Sequence, residues 1–228
     1  SKGRSFGDKE ENVMETIIEV RNIVKAFHGE FVLNHLDLDV NAGDICGIIG
    51  RNGSGKSVLF KIIAGIMVPD SGQVNVCGEY IWNGKFPSDL GIILDNTGFL
   101  PSYSAFENLR MIAAINKKVS DEEIRELIRL VGLDPENKKS VRKFSTGMKQ
   151  RLAFAQAIME KPKILLLDEP MNGLDKSGCE LIRNLILEIN RELGTTVLMT
   201  SHISEDITKL CRKVYSLEGG QLKEHIFQ

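Results

Sequence analysis

Gly50-Arg-Asn-Gly-Ser-Gly-Lys-Ser57 sets glycines, a lysine and a hydroxyl at the spacing G-x-x-x-x-G-K-S. Gly50, Gly53 and Gly55 let successive backbone N–H groups turn inward around phosphate oxygens, and a helix starting at the end of the loop adds its positive end. Lys56 supplies a point charge for β- and γ-phosphates, and Ser57 a hydroxyl for Mg²⁺. Arg51, Asn52, Ser54 and Val58 complete the candidate nucleotide contacts. The bland alternative, a glycine-rich turn that binds nothing, loses weight because an apolar strand precedes the loop and a helix follows it.

Ile164-Leu-Leu-Leu-Asp-Glu-Pro170 carries a second set of groups. Asp168, at the end of a buried strand, can hold the Mg²⁺ that bridges the phosphates. Glu169 directly after it is the candidate base for an attacking water. Taken alone these are an ordinary acidic strand end; beside the loop at 50–57 they are half of a phosphoryl-transfer site. A guanine-reading N-K-x-D motif would mark a GTPase, but Asn116-Lys-Lys-Val119 lacks the acid at its fourth place.

The elements around these groups alternate between strand and helix. Thr16–Val20, His35–Val40, Ile45–Ile49, Gln73–Val76, Lys163–Leu167 and Thr196–Thr200 read as strands. Helices are expected at Lys56–Ala64, stopped by Gly65, at about Ser145–Glu160 and at about Lys176–Leu193. Strands as apolar as Leu165–Leu167 imply a parallel sheet covered on both faces, hence an α/β fold. A helical stretch at roughly 100–143 interrupts the alternation; within it Ser120-Asp-Glu-Glu123 is a capping box, followed by Ile124, Leu127, Ile128 and Val131 at helical spacing. Val214 to Lys223 reads as a hairpin around Gly219-Gly220.

Composition narrows the classes further. The 228 residues carry 29 Lys+Arg against 31 Asp+Glu, a net charge of −2, which gives no general reason to expect a nucleic-acid partner. The basic stretch 138–151 holds only one aromatic, Phe144, so it reads as a solvated face and not as a stacking platform. Ile62 to Val68, the longest apolar run, falls far short of the ~20 residues a spanning helix needs. Cys46, Cys77, Cys179 and Cys211 are scattered without C-x-x-C or metal spacing, which favours a reduced setting. Residues 1–13 are polar and charged, and read as a flexible extension or tag before Met14.

Five further segments point one way. Phe144-Ser-Thr-Gly-Met148 followed by Lys149-Gln-Arg-Leu152 resembles the signature motif of ABC ATPases. Asn172-Gly-Leu-Asp175 resembles their D-loop, Ser201-His202 their switch histidine, and Leu90 to Leu109 their Q-loop region. Phe27 falls where that family places an adenine-stacking aromatic, although a plain core residue is an equal reading. The likeness runs from about residue 16 to the C-terminus, and the stretch 144–175 also resembles ATPase subunits of bacterial exporters of drugs and antimicrobial peptides.

The resemblance implies a P-loop NTPase core of mostly parallel sheet flanked by helices, an N-terminal antiparallel β part, and a small helical lobe inserted at about 98–160 of a 14–228 domain. It implies ATP and Mg²⁺ as cofactors, with hydrolysis carried by Glu169, His202 and Lys56, and Mg²⁺ held by Ser57, Asp168 and Asp95. It also implies a head-to-tail dimer, homo- or heteromeric, in which Ser145, Thr146, Gly147 and Met148 reach the partner's nucleotide and Asp175 lies in the D-loop. The remaining expected partner is an integral-membrane permease that this chain drives from the cytoplasmic face, in the direction of export. A soluble ABC ATPase acting on ribosomes or DNA is the alternative; such proteins ordinarily carry two cassettes or a long coiled coil, and this chain has one P-loop. Three departures stand out. Asp95 takes the Q-loop glutamine position, Thr146 and Met148 stand where glycine and glutamine are usual, and Phe27 replaces a tyrosine. A carboxylate at Asp95 cannot donate a hydrogen bond, so nucleotide binding should become more dependent on Mg²⁺.

Overall fold

Strand β7 (Ile164–Leu167) is buried at every position, and its side chains divide alternately between two cores. Leu165 and Leu167 join a cluster with the helices of one face, while Ile164 and Leu166 join a cluster on the other. That is why the segment is uniformly apolar: a strand packed on both sides has no polar face to keep. A computed structural model shows this arrangement for residues 15–82, 84–94 and 98–225. The N-terminal extension and Asp95 lie outside the described residues.

β7 belongs to a six-stranded sheet of order β10-β9-β3-β8-β7-β6, where β3 is Ile45–Ile49, β6 Leu90–Ile93, β8 Thr196–Thr200, β9 Lys213–Glu218 and β10 Gln221–Glu224. The pairs from β9 through β6 are parallel, and β10 turns back antiparallel through Gly219-Gly220. Because β8 lies between β3 and β7, the ends of all three strands come together on one edge. In parallel α/β sheets that carboxyl edge is where ligands bind.

A second, antiparallel sheet of order β2-β1-β4-β5 is built from β1 (Thr16–Phe27), β2 (Glu30–Asn41), β4 (Ser71–Val76) and β5 (Glu79–Ile81). β1 and β2 run well beyond the short stretches that alternation suggests. Their register shifts at four points, including those at Asn22 and His35, which take φ of 52° and 51° and join by a 2.7 Å contact from His35 Nδ1 to Asn22 Oδ1. Such bulges break the period-two pattern without ending the pairing. Asn34 N–H donates to Gly220 O at 2.9 Å and ties the two sheets.

Helix α1 (Lys56–Ile63) follows β3 and packs in the same core as the antiparallel sheet. Between β6 and β7 come α2 (Ala105–Asn116), α3 (Asp121–Leu130), a 3-10 turn at Val141–Lys143, and α4 (Thr146–Ile158). Ser104 with Glu107 and Ser120 with Glu123 form reciprocal capping boxes at α2 and α3. In each, the cap residue's backbone N–H and then its hydroxyl hold the glutamate below the usual carboxylate range. α4 lies tightly on β6: a Cβ at Gly91 would stand 2.0 Å from Ala157 O. Helices α5 (Lys176–Leu193) and α6 (Ser204–Leu210) follow β7 and β8, and among the described residues no helix is long and apolar enough to cross a membrane.

Candidate active site

α1 begins without a capping side chain. Gly55 at its N-cap has φ of 105°, a region that favours glycine, and a Cβ there would come within 2.9 Å of Val32 Cγ1. A helix end of this kind leaves N–H groups for an outside acceptor. Lys56 is buried, and its Nζ donates to Gly50 O at 2.8 Å and Arg51 O at 3.1 Å. Ser54 Oγ is buried and has no partner. A buried lysine and an uncapped helix end on one loop fit an anionic ligand.

Asp168 and Ser57 meet across the sheet edge, with Ser57 Oγ donating to Asp168 Oδ2 at 2.5 Å. The other carboxylate oxygen of Asp168 accepts from Thr200 Oγ1 at 2.6 Å. Thr200 Oγ1 in turn accepts from Glu169 N–H at 2.9 Å, so one buried hydroxyl at the end of β8 registers both acids. Sequence reasoning passed over Thr200; its signal was a polar residue closing an apolar strand directly before Ser201-His202. Oxygen donors of this kind, one hydroxyl and one carboxylate, fit Mg²⁺, which keeps waters and takes its other oxygens from phosphates.

Glu169 holds a left-handed backbone, φ 51°. Its Oε2 accepts from His202 Nδ1 at 2.7 Å and from His202 N–H at 3.2 Å. The loop carrying His202 is braced from below: Ser201 Oγ donates to Asp206 Oδ2 at 2.9 Å, and Arg183 on α5 donates to the fully buried Asp206 through Nε at 2.7 Å and Nη2 at 2.6 Å. Arg183 and Asp206 also escaped sequence reasoning, since nothing local joins α5 to α6.

A cleft of about 370 Å³ gathers Phe27, Asn52, Gly53, Gly55, Lys56, Ser57, Val58, Asp168 and Glu169. Gly50, Arg51 and Ser54 instead face the other side of the loop, toward the β9–β10 turn. Phe27 is 41% exposed at the cleft, which removes the core reading and leaves a ring available to a base, with Lys25 Nζ 5.5 Å from its centroid.

Ser145, Thr146, Gly147, Met148 and Asp175 line a separate pocket that shares no residue with this cleft. Ser145 caps α4 by accepting from Met148 N–H at 3.2 Å. Thr146 packs on Gly173, where a Cβ would stand 2.6 Å from its Cγ2, so the D-loop glycine accommodates the side chain that departs from the usual glycine. Met148 turns its side chain to the core. Asp175 caps α5, and the Gly178 N–H, then the Ser177 hydroxyl, hold its carboxyl below the ordinary range.

Residues 33–172 match the ABC transporter family. The chain belongs to that family. This ABC chain is an ATPase of P-loop fold, as the resemblance from about residue 16 to the C-terminus implied. It is 41% identical over 208 residues to the uncharacterized ABC transporter ATP-binding protein YybJ of Bacillus subtilis, spanning 91% of this chain and 95% of that one. The bacitracin transport ATP-binding protein BcrA of Bacillus licheniformis is 38% identical, over 93% of this chain and 70% of that one. The methionine import ATP-binding protein MetN of Clostridium tetani is 33% identical, over 92% and 69%. In fold, the ABC chain superposes on the dimeric, ADP- and Pi-bound ATP-binding cassette MJ0796 with a TM-score of 0.83, at 22% identity, over 92% of this chain and 99% of that one.

Proposed function

We propose that this ABC ATPase closes as a dimer around ATP and drives a separate membrane permease from the cytoplasmic face, in the direction of export. The observation that carries the dimer is the separation of the two pockets: the P-loop cleft and the Ser145 helix end face ligand space independently. Each half is chemically incomplete toward a triphosphate, and a second copy turned head-to-tail, or a related subunit, joins them. Ser145, Thr146 and Gly147 then add a second helix N-terminus to the γ-phosphate.

Within the closed site Lys56 leaves its carbonyl partners for phosphate oxygens. Ser57 and Asp168 would hold Mg²⁺, which supplies neutralisation of developing phosphate charge when bound. Glu169 orients a water and accepts its proton as the water oxygen bonds to the γ-phosphorus; the bond to the β–γ bridging oxygen breaks and ADP leaves with that electron pair. His202, bonded to Glu169, contacts the γ-phosphate and reports its loss. Export follows the likeness to bacitracin transport ATPases, against that to methionine importers. We take residues 98–160 as the lobe that receives the permease. The support is a groove of about 480 Å³ between β6, α2 and α4, lined in part by Ile112, Asn116 and Gln156.

Affinity purification of the Glu169→Gln protein from detergent-solubilised native cells, with Mg-ATP, tests this reading. A stoichiometric multi-spanning membrane protein is expected. Ribosomal or DNA-associated partners without one would overturn it.

A further inference from the structure

Gln150 sits in the second turn of α4, five residues after the Ser145 cap. Its Nε2 donates to Glu169 O at 3.3 Å and to Pro170 O at 3.0 Å. These are the carbonyls on either side of the turn that aims the Glu169 carboxylate. The same turn is also held by Asn172 N–H, which donates to Glu169 O at 3.0 Å, and by Thr200 at the Glu169 N–H; Glu169 keeps a left-handed conformation that a glutamate does not adopt unaided. Gln150 is half-buried, and an amide facing two carbonyls is matched in polarity as a carboxylate there would not be.

We propose that Gln150 is a positioning residue for hydrolysis: it fixes the strained Glu169–Pro170 turn and so joins the helix end at Ser145 to the base of the same chain. In the dimer proposed above, on which the second half of this inference rests, Ser145 serves the partner's nucleotide and Glu169 its own. One side chain therefore links the two sites of the assembly.

The test is steady-state hydrolysis by Gln150→Leu and Gln150→Glu, the second keeping the shape while replacing the donor by an acceptor. Both should lower kcat at least about tenfold with KM within about twofold, the signature of lost transition-state geometry. Gln150→Glu should fall at least as far as Gln150→Leu. An unchanged kcat in Gln150→Glu overturns the proposal. Mixed dimers with Lys56→Ala in one subunit isolate a single working site. There Gln150→Leu should do its larger damage in the subunit whose Glu169 acts. A larger loss when it is placed in the subunit supplying Ser145 would make it a support of α4 alone and overturn the positioning role. If light scattering shows no Mg-ATP-dependent dimer even for Glu169→Gln, the dimeric reading fails separately. The kcat of the two single variants then decides Gln150 by itself.

Discussion

At residues 50–57 the chain meets its own polar groups: Lys56 is buried on two carbonyls, and Ser57 is bonded to Asp168, itself bonded to Thr200. At residues 145–147 another helix end is turned outward, with Ser145 and Thr146 exposed, Ser145 capping α4 and Thr146 packed on Gly173. The first half-site is preorganised by buried contacts and, on the proposed reading, takes nucleotide before any partner closes on it. The second is preorganised only as a helix end, and has nothing to act on until another nucleotide arrives. Preorganisation of donors where charge develops is what such a site contributes to rate, so in the proposed dimer the work divides unequally: binding to the P-loop half, commitment to the assembled pair.

The largest expected effect separates binding from chemistry within the first half. Glu169→Gln should lower turnover by roughly 10²–10⁴, the usual contribution of a general base, while ATP affinity measured by equilibrium binding stays near that of the parent. Near-normal turnover would remove Glu169 as the base. Next comes the relation between the halves. Lys56→Ala and Ser145→Arg proteins should each be inactive, yet their mixture should recover hydrolysis, because one of the two mixed sites then has an intact loop and an intact signature end. If ATP-dependent dimers form in the mixture and hydrolysis stays absent, the halves act within one chain and the contrast drawn above is wrong.

A smaller effect lies under His202. Breaking a buried ion pair by removing one partner typically costs about 3–5 kcal/mol, whereas replacing both by apolar residues is often neutral. Asp206→Asn should therefore lower the unfolding free energy by that order in denaturant titration. The double variant Arg183→Met with Asp206→Leu should recover most of the stability. It should not recover turnover, because Ser201 Oγ has still lost its acceptor and the His202 loop its brace. Full recovery of kcat in the double variant would reduce Arg183 and Asp206 to a purely structural pair.

What was legible in the sequence follows the same division. The loop at 50–57, the acids at 168–169 and the helix starts at Ser120 and Ser145 are contiguous, so residue type and spacing specify them. β3, β7 and β8 were visible because burial on both faces leaves an unbroken apolar run. The full length of β1 and β2 was not, because the bulges at Asn22 and His35 interrupt alternation while hydrogen bonding continues. Thr200, Gln150 and the Arg183–Asp206 pair were hidden for another reason: each acts on a residue that only the strand order and the seating of α4 and α5 bring near. Composition and periodicity carry no information about such neighbours.

Phe27 sharpens the comparison at its weakest point, the part of the first half that is exposed. Its position in sequence left core and base platform open; exposure at the cleft removes the core reading and favours the platform. Lys25, anchored to Asp70 at 2.7 Å, stands near one side of the ring, leaving the other for a base. Stacking of a base on an aromatic is worth about 1–3 kcal/mol, so Phe27→Ala should weaken ATP by roughly tenfold, raising KM while leaving kcat unchanged. The described residues beside it at the cleft wall include the apolar Val32, and a π-face accepts every base. Loss of the ring should accordingly weaken ATP and GTP by the same factor, measured as the ratio of their affinities before and after substitution. A shift in that ratio would mean that the exposed wall reads the edge of the base as well as its face, and that the first half-site is more selective than its phosphate-centred construction implies.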